Sequence, residues 1–382
     1  MQRPLTSPNS IIVRTYACTD VGRARDHNED AFVVANLASP APLAFSDEQT
    51  ERPDDHGLVF MVADGMGGAA SGELASSMAV DIVLREVRAR WTGSPEADPA
   101  GFADALVAAT TTANDRIHRH AREHPEDRGM GTTATVAGLL GDVLYVAQVG
   151  DSRAYLVRGG VARQLTKDQS LIQRLIEAGE LTAEEAETSE RRNIILQALG
   201  PEATIKIDIT RQQLRRGDTL VVCSDGLSGL VRDNEIAEAV MRDSDLHAAC
   251  SRLVSTANSR GGPDNITVVI ARFDGPGLAE AAPTDEIGHQ AYRPTEPAAD
   301  AATAEHRAPP PAVAAAPPEP RTDPKLALDP SRRPPPSTTT LEIAPLRETN
   351  QRGRRLPTVV IMVASFIVAV AAAIVFWRLR AH

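Results

Sequence analysis

Residues 58–68 read Leu-Val-Phe-Met-Val-Ala-Asp-Gly-Met-Gly-Gly. Leu58–Ala63 is short and apolar, the pattern of a strand, and it delivers Asp64 to the strand's end. The glycines of Asp64–Gly68 accept unusual dihedrals, so a backbone carbonyl here can turn inward as a ligand beside the carboxylate. The next stretch, Gly72–Arg90, puts Leu74, Met78, Ile82 and Val83 on one face of a helix. Strand, acid, glycine turn and helix follow one another within 33 residues.

The same unit recurs outward from this point. Strands are expected at Ile11–Cys18, Ala31–Ala35, Thr133–Leu140, Val143–Val149, Ala154–Arg158, Ile205–Thr210, Thr219–Cys223 and Ile266–Phe273. Each is short and rich in β-branched residues. Two more amphipathic helices are expected, Phe102–His120 and Leu246–Ala257. Strands outnumber helices, and the long helices bunch in sequence. This favours antiparallel sheets covered by helices over a regular βαβ winding.

Proline marks where folding is expected to stop. Sixteen of the 27 prolines lie between Pro276 and Pro345. Residues 10–274 are therefore read as one catalytic-sized domain. Residues 275–355, with PPPAVAAAPPEP and RRPPPSTTT, are read as a Pro/Ala-rich disordered linker. Residues 356–377 hold 22 positions without a charge, and about 20 apolar residues cross a bilayer core. They are expected to form one transmembrane helix. Arg352, Arg354 and Arg355 precede it and Arg378 and Arg380 follow, a slight bias that puts the linker and domain on the cytoplasmic side. The start, MQRPLTSPNS, has no apolar region of a secretory signal.

Composition excludes other classes. Lys and Arg number 40 against 51 Asp and Glu, a net charge of −11. No nucleic-acid partner is expected, because phosphate backbones call for a basic footprint. Aromatics at 3% leave no platform for stacking bases. Three cysteines, Cys18, Cys223 and Cys250, show no paired spacing, which predicts no disulfide framework, no Cys-rich zinc site and a reducing compartment. Cys223 inside VVCSDGL is read as a buried small hydrophobe, since the acid that follows it spoils a phosphate cradle. The group His118, His120 and His124 is read as complementing a helix C-terminus.

Aspartates beside Gly, Asn or Ser at strand ends form the chemical core. They are Asp30 in RDHNEDAF, Asp64 in VADGMGG, Asp151 in VGDSR, Asp225 in CSDGL and Asp264 in GGPDNIT. One such Asp is usually a turn or a helix cap. Five together, without His or Cys ligands, select hard cations such as Mg2+ or Mn2+. His27 is left outside this oxygen-rich set as a solvent-facing turn residue. Two ions close together form a water-activating clamp for phosphoryl hydrolysis. Arg25, five residues before Asp30, offers a bidentate guanidinium for the phosphate.

The series GRARDHNEDAF, VADGMGG, MGTTA, GDSRAY, LTKDQS, CSDGL and GGPDNITVV resembles, in order, the motifs of metal-dependent serine/threonine protein phosphatases of the protein phosphatase 2C type, bacterial branch. The resemblance covers roughly residues 12–273. It implies an α+β fold, a four-layer α-β-β-α sandwich of two antiparallel sheets flanked by helices. It further implies that Asp64 bridges two ions and that the Gly65 carbonyl binds one. Asp225 and Asp264 then complete the second site, and Asp30 holds that site or its waters. Asp151 with Asp225 would take a third ion, Arg25 would grip the phosphate, and Asn265 would orient Asp264. Arg25, Asp30, Asp64 and Asp225 form the implied catalytic set. The implied activity is hydrolysis of phosphoserine and phosphothreonine in proteins by a metal-bridging water, opposing a bacterial serine/threonine kinase and acting on its substrates at the cell membrane.

Three positions depart from the family pattern. Met66 stands where animal members carry a proton-donating His, Gln169 stands where a His is frequent, and the flap motif reads Ser189-Glu190-Arg191-Arg192-Asn193. Ser170–Arg192, with its helical run SLIQRLIEAGE, resembles the flap itself. The alternative reading is a catalytically silent, membrane-tethered scaffold acting through its proline-rich linker. A silent enzyme of this kind is expected to lack a metal aspartate, and none is missing here.

Overall fold

The computed structural model describes residues 10–92, 98–182, 185–186, 189, 191 and 193–292. The strands in chain order are β1 (Ile12–Asp20), β2 (Asp30–Asn36), β3 (Gln49–Glu51), β4 (Leu58–Met66), β5 (Gly131–Thr132) and β6 (Ala134–Leu140). They continue with β7 (Val143–Val149), β8 (Arg153–Arg158), β9 (Val161–Gln164), β10 (Asp208–Gln213), β11 (Thr219–Cys223) and β12 (Ile266–Asp274). One sheet runs β3-β1-β12-β11-β8-β9 and the other β10-β7-β6-β4-β2, with β5 pairing β4. Neighbouring strands pair antiparallel throughout.

The helices are α1 (Ala69–Val87), α2 (Pro99–Glu123), α3 (Leu171–Glu177), α4 (Asp225–Ser228), α5 (Asp233–Arg242) and α6 (Leu246–Ser259). Alternation along the strands sorts them into layers. In β4, Val59 and Met61 pack with Phe102 and Leu106 of α2, while Leu58, Phe60 and Val62 face the other sheet. In β12, Val269, Ala271 and Phe273 meet that shared interior, and Ile266, Val268 and Ile270 pack with Ile236, Val240 and Leu253 of α5 and α6. The expected four-layer order of two sheets between helices is thus present. Strands buried on both faces explain why β4, β7 and β11 read as nearly unbroken apolar runs.

Element ends moved where polar side chains set them. α2 begins at Pro99 because the Asp98 carboxylate accepts from the N–H groups of Ala100 and Gly101. The strand expected at Ile205–Thr210 starts three residues later, because the Lys206 N–H is taken by Gln197 Oε1 at 2.9 Å. Helix α5 is not among the expected helices, although Ile236, Ala237 and Val240 carry helical spacing and are buried.

Two expectations are corrected. The chain does not leave the fold at residue 274. Leu278 is buried between the sheets, and Ile287 packs there too. Asp285 takes a bidentate bond from Arg215 at 2.7 and 2.9 Å. The Arg211 N–H donates to Gln290 O and the Tyr292 N–H to Ile209 O, so the segment covers the outer edge of β10. Isolated apolar anchors between prolines were enough to hold it. Secondly, Cys18 of β1 and Cys250 of α6 are joined by a disulfide across 232 residues, with Cα atoms 6.8 Å apart. Sequence spacing shows nothing of this, because β1 and α6 meet only on folding. Cys223 is free and buried, and burial pushes its thiol up to about 12.

The remaining linker, residues 293–355, and the expected transmembrane helix at 356–377 lie outside the described residues. Among the described residues no helix is long and apolar enough to cross a membrane.

Candidate active site

Strand register builds the site. Asp30 of β2 and Asp64 of β4 are direct cross-strand partners, so their side chains share one face. Ser224 and Asp225 follow β11 from the other sheet, and the Ser224 hydroxyl donates to Asp30 Oδ2 at 2.7 Å. Asp264 lies just ahead of β12. Its Oδ1 accepts from the Asn265 backbone N–H at 2.9 Å, and its Oδ2 from Arg25 Nη2 at 2.8 Å. Asp151 follows β7, and its Oδ1 is buried without a partner, as is Asp30 Oδ1.

Five carboxylates therefore meet where the two sheets end together. Burial, joined by repulsion from Asp225, pushes Asp30 and Asp151 up to about 7. Asp64 is driven well above the usual range by burial and by the charges of Asp30, Asp225, Asp151 and Asp264. Asp225 is raised by burial and by Asp264. Among the described residues no three of these side chains close at ligand distance around one point. Mutual repulsion and orphaned buried oxygens are what a hard divalent cation relieves, and the donor set is wholly oxygen. These residues fit Mg2+ or Mn2+.

The surrounding polar groups hold the carboxylates apart from the core. Thr133 Oγ1 accepts from the Asp64 N–H at 2.9 Å and meets the Ser152 hydroxyl at 2.7 Å, tying the Asp64 strand to the Asp151 turn. Gly65 cannot be larger, because a Cβ there would sit 2.2 Å from Gly72 O and 2.5 Å from Glu29 O. The Asn265 side chain does more than the sequence suggested. Its Oδ1 accepts from the Glu29 N–H, and its Nδ2 donates to Val21 O and His27 O, pinning both ends of the loop that carries Arg25. Asp264 itself is oriented by the Asn265 backbone N–H and by Arg25. Thr133, Ser152 and Ser224 were not singled out beforehand. All three lie inside the MGTTA, GDSRAY and CSDGL motifs, but their partners are distant in sequence.

A cleft of about 490 Å3 opens over this centre. Asp64, Asp225 and Asp264 line it with Arg25, and Met66, Asn193 and Ile195 form other parts of its wall. Exposed His27 also lines the cleft. Gln169 is structural: its Oε1 accepts from the Gly150 N–H at 3.0 Å, and its Nε2 donates to Lys206 O at 3.0 Å. Arg153 clamps Asp168 beside it, with its closest bond at 2.7 Å. Gln169 thus latches the flap to the Asp151 turn, a task that does not need an imidazole.

These raised carboxylates give a pH signature. Between the unfolded carboxylate range near 3.8 and about 7, the folded metal-free protein binds more protons at Asp30 and Asp151 than the unfolded chain. Stability then falls as pH rises through that window. Melting in chelator at stepped pH is expected to show a falling midpoint, with manganese restoring most at the upper end. A midpoint that climbs with pH in chelator would oppose this charge picture.

Comparison with known proteins agrees with this geometry. The family model described as Protein phosphatase 2C matches residues 46–265. The chain is 36% identical over 257 residues to the serine/threonine phosphatase stp of Listeria monocytogenes, covering 67% of this chain and 94% of that one. The crystal structure of the Mycobacterium tuberculosis serine/threonine phosphatase PstP/Ppp superposes with a TM-score of 0.57 at 32% identity, over 71% of this chain and all of that one. A structure of the PstP catalytic domain in complex with two manganese ions gives a TM-score of 0.55 at 32% identity, over 69% of this chain and 99% of that one.

Proposed function

Because the chain belongs to the protein phosphatase 2C family and is a serine/threonine protein phosphatase, we propose that it hydrolyses phosphoserine and phosphothreonine in proteins at the cleft between its two sheets. The observation that carries this reading is the convergence of five acidic side chains beneath a cleft edged by Arg25. Asp64, the Gly65 backbone, Asp225, Asp264 and Asp30 would hold two ions, and Asp151 with Asp225 a third. Bound there, manganese or magnesium supplies neutralisation of phosphoryl charge and activation of water at neutral pH.

The chain's own groups do the rest. Arg25 is half exposed, hydrogen-bonded to Asp264 and 3.9 Å from Glu29, so it sits at the rim, where an incoming phosphate would compete with those carboxylates for its fork. Asn265 fixes the loop that aims it. Met66 has no proton to give, so a water held at the centre would supply the proton to the departing serine or threonine oxygen. The full acidic set speaks against a silent scaffold, since a metal centre needs its whole ligand count.

Release of phosphate from matched phosphothreonine, phosphoserine and phosphotyrosine peptides tests the assignment. Turnover of the first two and neglect of the third is expected; a preference for phosphotyrosine would refute it. Arg25→Ala is expected to lower kcat/KM about 10- to 100-fold, from the loss of one charge-assisted contact of roughly 1.5–3 kcal/mol. Arg25→Lys should fall between, keeping charge but losing the fork.

The address is a second part of the proposal. Residues 356–377 would anchor the chain in the cell membrane with its catalytic domain in the cytoplasm, opposing a membrane-associated serine/threonine kinase and that kinase's substrates. Its support is the uncharged span of 22 residues and its flanking arginines. Fractionation of the full chain against residues 1–292 decides it: the first should pellet with membranes and the second should not.

A further inference from the structure

α2 ends in a histidine pair that the phosphatase chemistry does not use. His120 lies in its last turn and His124 caps it. The two rings stack with centroids 4.0 Å apart and planes 14° from parallel. Charge complementarity to a helix end would favour protonated rings, but two imidazolium rings at that separation repel.

Hydrogen bonds fix which nitrogens are free. Asp127 Oδ2 is 2.9 Å from His120 Nε2. His120, followed by Ser71, donates to Asp127 and holds it below the usual carboxylate range. A carboxylate only accepts, so His120 Nε2 carries a proton, and in the neutral imidazole Nδ1 keeps its lone pair. His124 Nδ1 is 3.1 Å from His120 O. A carbonyl also only accepts, so the His124 lone pair is on Nε2. One ring thus has a carboxylate and the other a backbone carbonyl behind it, the two partners that usually stand behind metal-binding histidines.

We propose that His120 and His124 form a second metal site, selective for a borderline transition cation such as Zn2+ and separate from the all-oxygen centre. Imidazole nitrogens suit zinc, copper and nickel, whereas magnesium and manganese favour oxygen. Both rings are reachable, His120 with a quarter of its side chain exposed and His124 at the surface. Binding one ion would turn the two rings out of their stack, so that His120 Nδ1 and His124 Nε2 face it together. Among the described residues no further His, Cys, Asp or Glu completes a three-ligand group, so water takes the remaining positions. Asp127 also accepts from the Ser71 hydroxyl at 2.9 Å, in the first turn of α1 just after the Asp64–Gly68 loop. Asp127 and Ser71 thus link the site to the start of α1, and it shares no ligand with the oxygen centre.

Calorimetric titration of Zn2+ into the untagged full chain, kept in detergent with excess Mg2+ on the oxygen centre, tests this. One zinc equivalent resistant to Mg2+ is expected. His124→Ala should weaken it at least tenfold, and Asp127→Asn, which removes the supporting carboxylate, about 10- to 100-fold. Zinc-free His124→Ala should keep wild-type turnover and melting, which separates lost ligation from lost folding; His124→Gln serves as a second variant. Equal zinc stoichiometry and affinity in wild type and both His124 variants would overturn the proposal, as would absence of zinc binding to wild type under Mg2+.

Discussion

Asp225→Asn is expected to lower turnover at least 1000-fold while leaving the fold in place and raising the stability of the metal-free protein. Asp225 opens α4 directly behind β11, is half-buried in the cleft floor, and is repelled by Asp264. The amide is nearly isosteric, so packing around Gly226 and Leu227 is kept. What disappears is one negative charge from the site that must hold the ions. A ligand contribution of about 4 kcal/mol to the transition state corresponds to about 1000-fold. Without metal the same charge is only a cost of burial, so its removal relieves the cluster. Turnover in saturating manganese and thermal melting in chelator read the two arms. Retention of a tenth of wild-type turnover, or a lower melting point in chelator, would contradict this role.

Gly226→Ala should cost stability and activity together. A Cβ at this position would stand 2.0 Å from the Asn265 carbonyl oxygen and 3.5 Å from the Asp264 Cβ. Both neighbours belong to the chain entering β12, whose strand pairing gives it no room to retreat. Overpacking of a rigid interior costs about 1–3 kcal/mol, more where backbone is struck. Relief requires α4 to separate from the start of β12, which moves Asp225 away from Asp264. We expect a loss of about 3 kcal/mol in urea unfolding together with a fall in activity beyond that of Arg25→Ala. A variant as stable and active as wild type would show that the two segments are not locked together.

The sequence disclosed the parts whose physics is local. Strands buried on both faces announce themselves as apolar runs, and β7 and β11 were read to the residue. The five aspartates were legible because each follows or precedes such a run beside a residue suited to turning. What stayed hidden depends on contacts far along the chain. Ser224 reaches Asp30 across 194 positions, and Asn265 reaches Glu29 across 236. The disulfide spans 232. Proline content misplaced the end of the fold, because composition averages over Leu278, Ile287 and Tyr292, each of which finds a place on the domain. Polar residues mislead in the opposite way: Gln169 looked like a lost histidine and proves to be a latch.

Hydrolysis of a phosphothreonine peptide by the full chain, followed as manganese is removed by chelator and returned stepwise, tests the central claim most directly. The account predicts that activity vanishes with the metal and returns as two to three manganese ions bind per chain, with the melting temperature rising in parallel. Undiminished hydrolysis in chelator, or no hydrolysis by folded protein with manganese bound, would contradict it.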